Sequence, residues 1–242
     1  MQRSLLSILA IFSGLLFFQC EPEQTPPPPR GFIAILPDPS GTTAGKGWPM
    51  PDSVFFRQTI DSLAAAGGGD LYVYNLGFAI PQPCSLLIKP VIVNQNVYDS
   101  QYNHIEEQNR KAGEWNREQT GLLMACLDSF LFRYRPPADD DYSYILPAVN
   151  SLSNTLNAIG PEYGYCAVLL YTDMINHEKG KSPARVTADQ WRVLTEIPHT
   201  DIYLCSYADT SGYHALRFNM CGSYREFPRM IPAVRNRYKQ PY

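Results

Sequence analysis

Most recurrent motifs of catalysis and metal caging are missing from this chain. Its six cysteines include no Cys-x-x-Cys pair, which argues against a zinc ribbon or a thioredoxin motif. His104, His177, His199 and His214 show no His-Glu-x-x-His spacing, the helical arrangement that places two imidazoles on one metal. Gly-x-Ser-x-Gly is absent, which argues against an ordinary α/β-hydrolase. The formal net charge is only −3 and no long basic run exists, so a nucleic-acid surface is not expected. No internal repeat is evident.

The N-terminus carries the strongest compositional break. Arg3 is followed by an uncharged apolar stretch from Leu5 to Phe18, shorter than the roughly 20 residues a membrane-spanning helix needs. Residues 1–20 therefore read as a secretory signal. The stretch ends at Phe17-Phe18-Gln19-Cys20 and resembles a bacterial lipoprotein signal with Cys20 as the lipidated residue. Gln19 stands where Gly or Ala is usual. Residues 21–30 contain four successive prolines, which neither propagate a helix nor pair as a strand and favour an extended spacer. Such a tether lifts a domain off a membrane.

Residues 31–242 have the length of one α/β domain. Gly31 to Leu36 is a continuous apolar run suited to a strand buried on both faces. Asp52 is an expected N-cap for a helix through Ala64, with Phe56, Ile60 and Leu63 at helical spacing. Gly67-Gly68-Gly69 ends it, and a strand follows over Asp70–Leu76. Leu86 to Val93, interrupted by Pro90, suits an edge strand. His104 to Phe132 reads as one long helix bent at Gly113 or Gly121, ended by Arg135-Pro136-Pro137. Tyr144 to Ile159 is a second amphipathic helix. Tyr165 to Tyr171 is another buried strand, and Thr187-Ala188-Asp189-Gln190 a capping box. Asp201–Tyr207 and His214–Met220 read as strands, and Tyr224–Tyr238 as a helix broken by prolines. Strands alternating with helices imply a doubly wound, mostly parallel sheet with helices on both faces. In an exported chain, Cys205 and Cys221 are the expected disulfide pair, while Cys166 reads as a core residue.

The run Phe32 to Pro37 ends in Asp38-Pro39-Ser40-Gly41-Thr42. Asp, Ser and Thr supply hard oxygen donors suited to Mg²⁺ or a similar cation. Asp-x-Ser-x-Thr after a first buried strand resembles the metal-ion-dependent adhesion site of von Willebrand factor A domains, and the Gly69-Asp70 pair entering the second strand fits the same pattern. The resemblance implies a Rossmann-like fold in which Ser40 and Thr42 ligate the metal, with Asp38 and Asp173 binding it directly or through water. Ligands in doubly wound sheets bind outside the carboxyl ends of the strands. With strand order 3-2-1-4-5-6, the strands ending at Asp38 and Asp173 are neighbours there. The family adds a Thr from a second loop. The corresponding loop, 138–143, has none; Asp141 or Ser143 would replace it, Asp141 being preferred, with Thr120 as a more distant alternative. Met174 stands where the family usually has Gly.

The resemblance implies a cation, Mg²⁺ or else Mn²⁺ or Ca²⁺, with a free position for an acidic side chain of a protein partner. The expectation is a binding module and not an enzyme, held by lipid at the bacterial envelope, with the outer membrane preferred over the inner. Metal-free readings remain beside it: Asp38-Pro39-Ser40-Gly41 is itself a good turn sequence, and a structural or assembly lipoprotein could carry a degenerate site. A third alternative is a phosphohydrolase using Asp38 and Mg²⁺, although Ser40 occupies the place of the second Asp that haloacid dehalogenase-type chemistry expects. Gly41 to Gly47 is one residue short of a phosphate-binding loop and lacks the hydroxyl after Lys46.

Overall fold

A computed structural model describes residues 29–40, 49–92, 99–134, 142–206, 216 and 218–238. Cys20, Thr42 and Asp141, with the signal and the proline-rich spacer up to residue 28, lie outside the described residues.

The centre of the molecule is β1 (Gly31–Pro37), every residue of which is buried. It pairs in parallel with β2 (Gly69–Val73) on one side and with β4 (Tyr165–Tyr171) on the other. β3 (Cys84–Ile88) adds antiparallel to β2 as an edge. β7 (Thr200–Cys205) and β8 (Phe218–Met220) extend the sheet in parallel beyond β4. The resulting order is β3-β2-β1-β4-β7-β8. A small separate ladder, β5 (Ile175–Asn176) with β6 (Ala184–Arg185), had no signal in the sequence. Without that ladder, the six sheet strands follow the expected order 3-2-1-4-5-6.

Alternation along β1 sorts the core into two layers, as the period of a strand requires. Ile33 and Ile35 pack with α1 (Ser53–Ala65), α2 (Asp99–Leu127) and α5 (Phe227–Tyr238). Phe32, Ala34 and Leu36 pack with α3 (Ile145–Ile159) and α4 (Ala188–Thr195). Both faces of the sheet are thus covered, which is why β1 and β4 are apolar throughout. Asp52 caps α1 by accepting from the Phe55 amide at 2.9 Å. The Thr187–Gln190 capping box starts α4. At the turn into β2, Gly69 has φ +141°, and a Cβ there would lie 1.8 Å from the Gly31 carbonyl oxygen. Only glycine permits that approach.

Several local expectations are corrected. The edge strand covers Cys84–Ile88, not Leu86–Val93; Pro90 lacks the amide that would continue the ladder. α2 runs without interruption past Gly113 and Gly121, then turns π-helical over Asp128–Phe132. Pro232 lies inside α5, which continues around it. The disulfide joins Cys84 to Cys126, with Cα atoms 6.1 Å apart, and Cys205 and Cys221 are free and buried. Cys84 on the edge strand faces α2, so this bond ties the long helix to the sheet. Among the described residues no helix is long and apolar enough to cross a membrane.

Candidate functional site

β1 and β4 run side by side to Pro37 and Tyr171, and the Asp38 amide donates to the Tyr171 carbonyl at 2.9 Å. The two strands therefore deliver Asp38 and Thr172-Asp173 to the same point at the carboxyl edge of the sheet. Asp38, Ser40, Ser143, Thr172 and Asp173 are all buried there. Burying this many oxygens together is costly unless they satisfy one another or a cation.

Asp38 is the hub. It is fully buried. Ser143 Oγ donates to both carboxylate oxygens, at 2.8 and 2.9 Å. Thr172 Oγ1 donates to Oδ2 at 2.9 Å, and the Ser40 amide to Oδ1 at 3.1 Å. Among the described residues no cationic side chain pairs with it. Burial pushes its carboxyl up from 3.8 to about 6; the Ser143, Ser40 and Thr172 hydrogen bonds pull it back, and Asp173 raises it further. Desolvation outweighs the hydrogen bonds because neutral donors return only part of the hydration a carboxylate gives up.

Ser143 arrives from the loop ahead of α3 and is held on several sides. Its amide donates to the His177 carbonyl at 3.0 Å, and the His177 amide donates to the Ser143 carbonyl at 2.8 Å. Next to it, the Tyr144 amide donates to the Leu76 carbonyl at 2.6 Å. Asn176 Oδ1 accepts from the Leu146 amide at 3.0 Å, filling one of the open donors of the helix start. Loops after β2 and β4 thus fix the position of the Ser143 hydroxyl.

The backbone after β4 is tight. Met174 has φ +68° and is fully buried. Its amide donates to Thr172 Oγ1 at 3.1 Å, and the Ile175 amide donates to Asp173 Oδ1 at 3.1 Å. Left-handed backbone costs a residue with a Cβ on the order of 1 kcal/mol. The two side-chain bonds and the burial of Met174 hold it in that conformation. The position at which the resemblance expects glycine is thus a left-handed one in this fold, occupied here by a methionine.

The structure brings together Asp38, Ser40 and Asp173 of the expected set. In the second loop Ser143 reaches Asp38, while the preferred Asp141 lies outside the described residues, as does Thr42. Thr120 is elsewhere: its hydroxyl donates to the Asn116 carbonyl within α2. Sequence reasoning passed over Thr172, although a hydroxyl directly before the strand-end Asp173 was the available signal. Among the described residues no group of three or more His, Cys, Asp or Glu side chains converges. The candidate donor set is two carboxylates and several hydroxyls, chemistry that fits a hard cation and not a soft one.

Solved structures similar to this chain include manganese-loaded TRAP protein from Plasmodium vivax, at 10% identity and a TM-score of 0.42, covering 85% of this chain and 73% of that one. A von Willebrand factor type A protein from Catenulispora acidiphila is similar at 11% identity and TM-score 0.41, over 87% and 42%. Proximal thread matrix protein 1 from the mussel byssus is similar at 9% identity and TM-score 0.40, over 85% and 46%. The chain spans less than half the length of the latter two. No protein-family model and no curated protein sequence matches. The fold is a doubly wound, mostly parallel α/β sheet in the order β3-β2-β1-β4-β7-β8 with helical layers on both faces, the architecture that the resemblance to von Willebrand A domains implies.

Proposed function

We propose that this domain is a protein-binding module whose recognition site is a divalent cation held at the carboxyl edge of β1 and β4. Mg²⁺ is the first choice, with Mn²⁺ or Ca²⁺ as substitutes. The residues that would hold it are Asp38, Ser40, Ser143 and Asp173, with Thr42 and Asp141 as further oxygen donors from the neighbouring loops. When bound, the cation supplies a Lewis-acidic position for a carboxylate oxygen of the partner. The chain's own residues orient that position. Ser143 and Thr172 fix the Asp38 carboxylate, and the Ile175 amide holds Asp173 Oδ1 in the tight turn at Met174. The reading is of recognition, not turnover, in a protein carried on a Cys20 lipid anchor at the bacterial envelope, in the outer membrane.

The observation that supports this reading is Asp38 itself. A fully buried carboxylate surrounded by neutral donors and a second carboxylate is held at an energetic cost, and a divalent cation removes that cost. Manganese resonance tests it. The free Mn²⁺ signal is expected to fall on adding the full chain and to persist with Asp38→Ala or Ser143→Ala.

A second reading is favoured by the completeness of the hydrogen bonding. Three donors already satisfy Asp38, as they would in a metal-free scaffold that uses the carboxylate to join its loops. In that case the Mn²⁺ signal stays unchanged with the wild-type chain, and both variants lose stability.

A further inference from the structure

Away from the Asp38 site, two free thiols and a thioether lie in one core layer on the other side of the sheet. Cys205 closes β7, and the β7–β8 register pairs Leu204 with Met220. The Cys221 amide donates to the Leu204 carbonyl at 3.0 Å, so the chain carries Cys221 alongside Cys205, on the order of 5 Å away across adjacent strands. Both belong to the same core layer, under α5. From α5, Met230 packs on that layer and places its Sδ 3.7 Å from Cys221 Sγ. Cys205 is 1% and Cys221 7% exposed, while Met230 is half-buried and gives the cluster a route to solvent.

We propose that Cys205, Cys221 and Met230 form a binding site for a soft monovalent metal ion, Cu(I). Two thiolates and a thioether are the donor set that selects Cu(I) over harder cations. On binding, each thiol gives its proton to solvent, two S–Cu bonds form and Met230 adds a third. The copper stays Cu(I), no electron moves, and the bound unit carries one negative charge. Burial first, and Glu226 after it, hold both thiols protonated, Cys205 at about 11, where a hydrogen bond with the Tyr224 backbone pulls it partly back, and Cys221 at about 12, where Cys205 raises it further. A weakly bound cation would not displace those protons, whereas the strong Cu(I)–thiolate bond does. Cys166, the remaining described free thiol, lies in the opposite core layer and serves as the internal control.

The test is anaerobic titration of the purified full chain with Cu(I) against the chromogenic chelator bicinchoninate. The chain is expected to withhold one equivalent. Met230→Leu, which conserves volume, is expected to weaken binding by about tenfold or more, and Cys221→Ser to abolish it. Cys166→Ser is expected to leave it unchanged. Thermal melting checks that each variant folds; if Cys221→Ser does not, Met230→Leu decides. Failure of the wild-type chain to withhold copper overturns the proposal, as does an equal loss in Cys166→Ser. Mass spectrometry showing Cys205 and Cys221 joined as a disulfide in the purified chain overturns it too.

Discussion

At the scale of single residues, the energetics of the candidate site concentrate on Asp38. Its carboxyl titrates at about 6 in the fold, against 3.8 unperturbed. Below pH 4 the group is protonated in both states. Between pH 4 and pH 6 the unfolded chain has released the proton and the folded chain retains it, so stability is lost as pH rises through that window. From this group alone the loss amounts to about 3 kcal/mol. Denaturant titrations of the metal-free chain at pH 4.5 and pH 7 should show about 2 kcal/mol of it, the rest being lost below pH 4.5, and Asp38→Asn should remove it. Saturating Mg²⁺ should recover stability at pH 7, because a bound cation favours the ionised carboxylate. Unequal residues at neighbouring positions explain what was hard to read. Asp141 was preferred to Ser143 in the sequence as the charged oxygen donor, and that the Ser143 hydroxyl reaches Asp38 depended on how the loop ahead of α3 is pinned by His177 and Leu76.

At the scale of elements, the long helix α2 and the edge strand β3 form one unit. Asn116 brackets Lys89: the Lys89 amide donates to Asn116 Oδ1 at 2.8 Å, and Asn116 Nδ2 donates to the Lys89 carbonyl at 2.9 Å. Asn109 treats Ile92 the same way, at 2.8 and 2.9 Å. The two side chains, two helical turns apart, stand in for a next strand where the ladder stops. They also satisfy backbone that an open edge would leave to another chain. Trp115 Nε1 donates to the Leu87 carbonyl, and the Cys84–Cys126 bond closes the same contact. Asn116→Ala should cost about 1–3 kcal/mol, read as a shift in the denaturant midpoint, because two backbone groups lose partners together. Reducing the Cys84–Cys126 bond should cost about 2–4 kcal/mol for the 42-residue separation it spans. None of this was legible beforehand. Asparagine is a poor helix former, and nothing in the sequence marks Asn109 and Asn116 as partners of an edge strand. A disulfide pairing depends on which elements fold against each other, which spacing along the chain does not encode.

At the scale of the whole molecule, the sheet was legible because its central strands are apolar on both faces, a pattern that only a strand buried between two helical layers requires. That topology alone brought Asp38 and Asp173 together from distant sequence. The β5–β6 ladder was too short to have a periodicity, and Thr172 was hidden beside a more conspicuous carboxylate. The same global packing predicts that Gly69→Ala is not tolerated: a Cβ would meet the β1 backbone at 1.8 Å. The variant should lose at least about 2 kcal/mol of stability, and some cation affinity with it, since β1 carries Asp38. The central claim, that two strand ends form one cation site, is tested most directly by calorimetric titration of Mg²⁺ into the wild-type chain, Asp38→Asn and Asp173→Asn at pH 7. The account predicts saturable binding to the wild type that both substitutions abolish without unfolding the domain. A folded wild-type chain that takes up no Mg²⁺, or a site that survives Asp173→Asn unchanged, would contradict it.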